Sequence, residues 1–122
     1  MIAEARAALL AVLETAGIPA FENVPDRAQP PMAVMVPAAD WIENGEVFGE
    51  FTISFDVEIV AGSGTNQAIS LALDGMVEDV LTAIAEAPSM YAAAVGQPAT
   101  VDLGNGPVYL GATITVKQHL QL

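Results

Sequence analysis

From Val47 to Ile59 the odd positions are Val47, Gly49, Phe51, Ile53, Phe55, Val57 and Ile59. The even positions from Glu46 are Glu46, Phe48, Glu50, Thr52, Ser54, Asp56 and Glu58. A period of two held this long predicts one strand with a dry face and a wet, largely acidic face. At roughly 14 residues it exceeds the usual five or six, so part of it is expected to project beyond the sheet.

The chain shows the helical period twice. Ile2, Ala5, Leu9, Val12, Leu13 and Ala16 recur at three and four, and Gly17 follows where a left-handed cap belongs, which predicts a helix over 2–16. Ile69, Leu73, Met76, Val77, Val80, Leu81 and Ile84 form the second stripe, in a helix from Gln67 to Ala87 stopped by Pro88. Gly62-Ser63-Gly64-Thr65-Asn66 is its turn and supplies N-cap residues. Asp74, Glu78, Asp79 and Glu86 lie largely off the apolar stripe.

The other segments read as strands and connections. A short extended piece is expected at 20–22 and a polar loop at 23–29. Met32 to Val36, apolar throughout and closed by Pro37, predicts a short strand covered on both faces. Residues 38–45, which include Trp41 and Ile42, read as a loop or an arm, and 90–98 as an alanine-rich connection containing Tyr91. Thr100 to Leu103 and Val108 to Leu122 flank Gly104-Asn105-Gly106 and predict a hairpin, since Asn-Gly suits a type I′ turn. The last strand alternates as well, with Gln118 the one polar residue on its apolar face.

The order is α-β-β-β-α-β-β. It predicts an α+β fold, a largely antiparallel sheet of about four to five strands with two helices packed on one face. The 122 residues suit a single domain spanning 1–122, with neither an internal repeat nor a low-complexity tract.

Composition narrows the function. Fifteen carboxylates stand against three fixed cations, Arg6, Arg27 and Lys117, for a formal charge of −12. A surface that grips phosphates by releasing counterions cannot be assembled from that set. DNA could still be something this surface repels and lets pass. The apolar share, 53%, is high for a soluble domain, and with no run approaching the ~18 apolar residues of a membrane helix the surplus suggests subunit contacts. Glu4 cancels Arg6, so the start of the chain reads as mature helix, not as a signal peptide. The absence of cysteine removes disulfides, thiolate nucleophiles and cysteine zinc sites.

No motif for catalysis emerges. Gly62-Ser63-Gly64 lacks both the dinucleotide spacing and a Gly-Lys-Ser/Thr sequence, so it reads as a turn. His119, the one histidine, lies on the polar face of the last strand with no neighbouring partner in sequence, and nothing resembles a nucleophile elbow. The pairs Asp56/Glu58 and Asp74/Glu78 do not make the dense ligand pattern of a calcium loop and read as solvated acidic faces. No enzyme, cofactor or metal is expected. Trp41 beside Ile42 reads either as an anchor on the core or as a partner-binding arm.

Several segments together resemble the tail terminator, or tail completion, proteins of long-tailed bacteriophages. They are the N-terminal helix, Pro30 to Val36, Phe51 to Val60, Leu73 to Leu81 and Gly106 to Val116, and the resemblance covers nearly the whole chain. It implies a homohexameric ring in the virion, at the head-tail junction, that caps the tail tube and presents a surface to the head-tail connector protein. Its partners would be itself, the tail tube protein and the connector, with DNA passing through the lumen, no specific nucleic-acid or membrane binding, and no catalysis. On that reading, Trp41, Ile42, Glu46, Phe48, Glu50, Asp56, Glu58, Asp74, Glu78 and Asp79 are the candidate interface or lumen residues. A head-closure or tube protein is the nearest rival. A module binding a small molecule between sheet and helices is the rival from another class.

Overall fold

The computed structural model describes residues 2–27, 29–45, 47–64, 66–104 and 106–121. The elements run α1 (Ile2–Thr15), β1 (Ala20–Phe21), β2 (Met32–Asn44), β3 (Glu50–Ser63), α2 (Gln67–Glu86), β4 (Met90–Val95), β5 (Ala99–Asp102) and β6 (Val108–Gln121). They form a six-stranded sheet ordered β1-β2-β3-β6-β4, with β5 also pairing β6. β1 runs parallel to β2, and the other pairings are antiparallel.

Two of these features correct the sequence-based expectation. The strand count is higher than four to five, because 90–95 is the strand β4 and not a connection. The sheet is mixed, because the short strand β1 lies parallel to β2, which follows it in the chain.

The principal core lies where the two helices meet one face of the sheet. Ala5, Leu9 and Leu13 of α1 and Leu73, Val80 and Ile84 of α2 pack on Ile53, Phe55, Val57 and Ile59 of β3 and on Ala112, Ile114 and Val116 of β6. The alternation of the long strand therefore sets its odd positions to the core. The even face is drier than its sequence suggests. Ser54 is 2% exposed, and Val60 joins Met32, Val34 and Tyr109 in a second apolar cluster on the opposite face, packed with Val36, Val101 and Leu103. Met32 to Met35 are buried on both sides, as their unbroken apolar run predicts.

Gln118, the polar exception on the inner face of β6, has a partner there. Its Nε2 donates to the Ala5 carbonyl oxygen at 3.0 Å, in a buried position, which ties α1 to the sheet.

The helix ends follow their local chemistry. Gly17 takes φ +83, and the N–H groups of Gly17 and Ile18 donate to the Glu14 and Leu13 carbonyls, the double bond of a Schellman cap. Ile18 and Leu13 are both in the core, the contact that accompanies such a cap. At the start of α2 the Asn66 side chain accepts from the Ile69 N–H at 3.0 Å. Asn66→Ala is expected to cost about 1 kcal/mol, read as a lower urea midpoint with unchanged slope. An unchanged midpoint would show that this cap is idle.

The hairpin is present, but with a longer connection than a two-residue turn: Asp102 pairs with Val108, and 103–107 form the loop. Gly104 donates to the Asp102 carboxylate at 2.8 Å. Asn105, the residue on which the type I′ expectation rests, lies outside the described residues.

Candidate assembly surface

β2 continues past Pro37 to Asn44 and carries the segment that the sequence leaves as loop or arm. Its register against β3 breaks there, from Pro37 opposite Phe55 to Ile42 opposite Ile53, so 38–41 bulge beside Ser54. Beyond the bulge, Ile42 to Asn44 pair with Ile53 to Phe51 and make the stem of the β2–β3 turn.

Trp41 is not a free arm. It is half-buried against the principal core, and the Arg6 guanidinium sits 5.8 Å from its ring and 5.2 Å from that of Phe55. The Trp41 indole N–H and the Ser54 hydroxyl, both buried, have no hydrogen-bond partner among the described residues. Both border the bulge.

The exposed apolar feature of this end is the turn itself. Gly45 donates to the Glu50 carbonyl at 2.8 Å, and Glu50 donates to that of Val47 at 3.0 Å, which turns the chain back on itself. Gly49 adopts φ +87. Phe48 is 105% exposed and Val47 60%. The alternation placed Phe48 on the wet face of the strand; it stands instead in the turn, because β3 begins at Glu50. Glu46 lies outside the described residues. The length expected to project is therefore a hairpin end, flanked by the end of β6, where Gln121 pairs with Glu50.

The remaining acids fall on two separate surfaces. Glu50, Asp56 and Glu58 are half-buried on the outer sheet face. Two of them have a neighbour that the sequence places far away. Thr115 Oγ1 donates to Asp56 at 2.9 Å, and His119 Nε2 lies 3.5 Å from Glu50 Oε1. Lys117, between them on β6, donates to Glu43 at 3.2 Å. That face is thus mixed in charge and rich in threonine, not a plain acidic wall. Asp74, Glu78 and Asp79 are exposed on α2, across the sheet from the other set. Asp74 and Glu78 border a shallow groove of about 300 Å³ lined by Leu73, Val77, Val95 and Pro98.

An open cleft of about 600 Å³ lies on the outer face between Val24, Glu58, Gln97, Thr100 and Leu103. Its charged lining residues are Glu58 and Asp102, both acidic, so nothing in it favours an anionic ligand. Among the described residues no group of three or more His, Asp or Glu is placed to hold a metal ion, and no helix is long and apolar enough to cross a membrane.

The surface that sequence reasoning missed is the strand β4. It closes the sheet beyond β6 and carries exposed Tyr91 and Val95. Its signal was weak, since Ala92, Ala93 and Ala94 have neither strand propensity nor alternation. No family model matches this chain, and no curated protein matches it either.

Proposed function

We propose that this protein is a structural subunit that assembles with copies of itself into a ring. On this reading the ring caps the tail tube of a long-tailed bacteriophage, ends its polymerisation and joins it to the head connector. The ring is supported by one observation above others: apolar surface is left at the periphery of the sheet, in Phe48 and Val47 at one end and Tyr91 and Val95 at one margin. Val47 and Phe48 are neighbours in one turn, and adjoining exposed apolar side chains mark interaction sites more readily than scattered ones do. The tail end enters from the resemblance of the segments named above. Capping follows from asymmetry: a ring with one face that docks on the tube and another that cannot add a tube ring stops growth.

A tail-length count tests the reading. Phage that lack the protein are expected to make tails of extended and irregular length without heads. Tails of normal length that fail only to join heads would replace the terminator with a head-closure protein. The small-molecule reading expected a ligand between sheet and helices, where the principal core is packed; a strict monomer that binds a neutral ligand, there or in the outer cleft, would favour it.

A further inference from the structure

We propose that β4 of one copy pairs through its main chain with the outer margin of β2 of the next, so that the sheet runs on from subunit to subunit. The inference rests on the ring reading and names the seam that would hold the ring.

Both margins are open in a single copy. Among the described residues β4 has no strand on its far side, and β1 covers β2 only at Ala33 and Val34, leaving Met35 to Asn44 without a strand partner on that side. The hydrogen bonds fix which groups are free. Gly96 donates to the Thr113 carbonyl at 2.8 Å and His119 to that of Ser89 at 3.0 Å, which marks hydrogen-bonded pairs at the two ends of β4. The alternation of an antiparallel ladder, taken from each end to the break between Ala92 and Ala94, turns the amides of Met90, Ala92 and Val95 away from β6. On β2, Ala33 donates outward to Pro19 at 2.8 Å. Met35 therefore also faces outward, and Pro37 occupies an outward position, where its missing N–H removes nothing from the ladder with β3 but leaves the seam to be held by Met35 and by positions other than 37.

Charge selects which margins meet. From Ala87 to Val101 the chain has no charged residue, and β4 holds neither lysine nor proline, the devices that usually guard an edge; a bulge is its one irregularity. The β2 margin carries Asp40 and Glu43. Two β2 margins together would bring two copies of Asp40 to one seam, with only Glu43 already paired, to Lys117. Two β4 strands together would leave both β2 margins of the pair uncovered. A β4 strand on a β2 margin covers both edges of every copy and puts no like charges across the seam. Such a contact is heterologous, and a heterologous contact closes into a ring when its rotation closes. Closure removes the edges altogether.

The arrangement also divides the two acidic surfaces. The helix layer is bulkier than the bare sheet face and takes the larger radius, so Asp74, Glu78 and Asp79 lie outside. Thr52, Asp56, Glu58, Thr113 and Thr115 then line the lumen.

The chain contains no cysteine, so introduced thiols report on the seam alone. Ala93→Cys combined in turn with Ala39→Cys, Asp40→Cys and Ile42→Cys is expected to give, for at least one pair, a ladder of covalent multimers on oxidation, while each single variant stays uncrosslinked. Dimers from Ala93→Cys alone, or no ladder from any pair, would overturn the seam. Val95→Pro removes one outward amide and is expected to weaken assembly by about tenfold or more, with a far-UV spectrum like that of the parent. If the unaltered protein forms rings, seen by sedimentation and imaging, that Val95→Pro leaves untouched, the seam is wrong and the ring stands. If it stays monomeric both alone and on isolated tail tubes, both readings fall.

Discussion

Replacing Gly111 by alanine is expected to destabilise the protein by about 3 kcal/mol, a large loss for a single methyl group. A Cβ at this position would stand 2.6 Å from the Ile59 carbonyl oxygen and 2.9 Å from Val101 Cγ2. Of these neighbours, the carbonyl belongs to the backbone of a central strand and cannot swing aside. Gly111 pairs with Val60 on one side and Ala99 on the other, next to the register break between Val60 and Gly62. The glycine thus lets β6 close on β3 while β5 folds across it. Gly75 provides the opposite case. It lies inside α2, and a Cβ there meets nothing within 4 Å. Gly75→Ala is expected to stabilise by about 0.5–1 kcal/mol through helix propensity. Thermal unfolding followed by circular dichroism measures both; Gly111→Ala should lower the midpoint by about 10 °C. A Gly111→Ala protein within a degree or two of the parent would mean that the strands are not so closely approached.

How much of this fold is legible in the sequence depends on how local the cause is. α1 and α2 are read almost to the residue, because Gly17, Asn66 and Pro88 mark their ends by local chemistry. The core face of β3 is read correctly for the same reason: a period of two needs no partner to be recognised. What escapes is set by tertiary pairing. Met90 to Val95 becomes a strand because β6 offers it an edge, not because alanine favours extension. Pro37 looks like a terminator, yet β2 runs through it, since its absent N–H faces the outside of the sheet. Trp41 is fixed by Arg6, a neighbour 35 positions earlier in the chain, and no spacing rule connects the two. Of the candidate site residues, the acids were legible as the wet face of the alternating strand and the side of α2 off its apolar stripe. Their division between two faces follows only from the layer in which each element lies.

Phe55 and Phe48 are expected to respond to truncation in opposite ways, although both belong to the same stretch of alternating sequence. Phe55 is fully buried in the principal core, with the Arg6 guanidinium 5.2 Å from its ring. Phe55→Ala leaves a cavity beneath α1 and removes that cation–π contact, for a loss of about 3–5 kcal/mol. That is a large part of the 5–15 kcal/mol that holds a typical domain, so the variant should be largely unfolded at elevated temperature. Phe48 touches the fold so little that Phe48→Ala should shift stability by no more than about 0.5 kcal/mol. On the proposed ring reading, its effect should appear in assembly, as a shift from ring toward monomer and a loss of capped tails at unchanged unfolding midpoint. A Phe48→Ala protein that assembles and caps normally would remove the turn from the assembly surface. If Phe48→Ala were instead as destabilising as Phe55→Ala, the turn would have to fold back on its own domain, contrary to an exposure of 105%. The separation has a plain physical source: burial on folding makes Phe55 a determinant of stability, whereas the apolar area of Phe48 stays in water until a partner covers it.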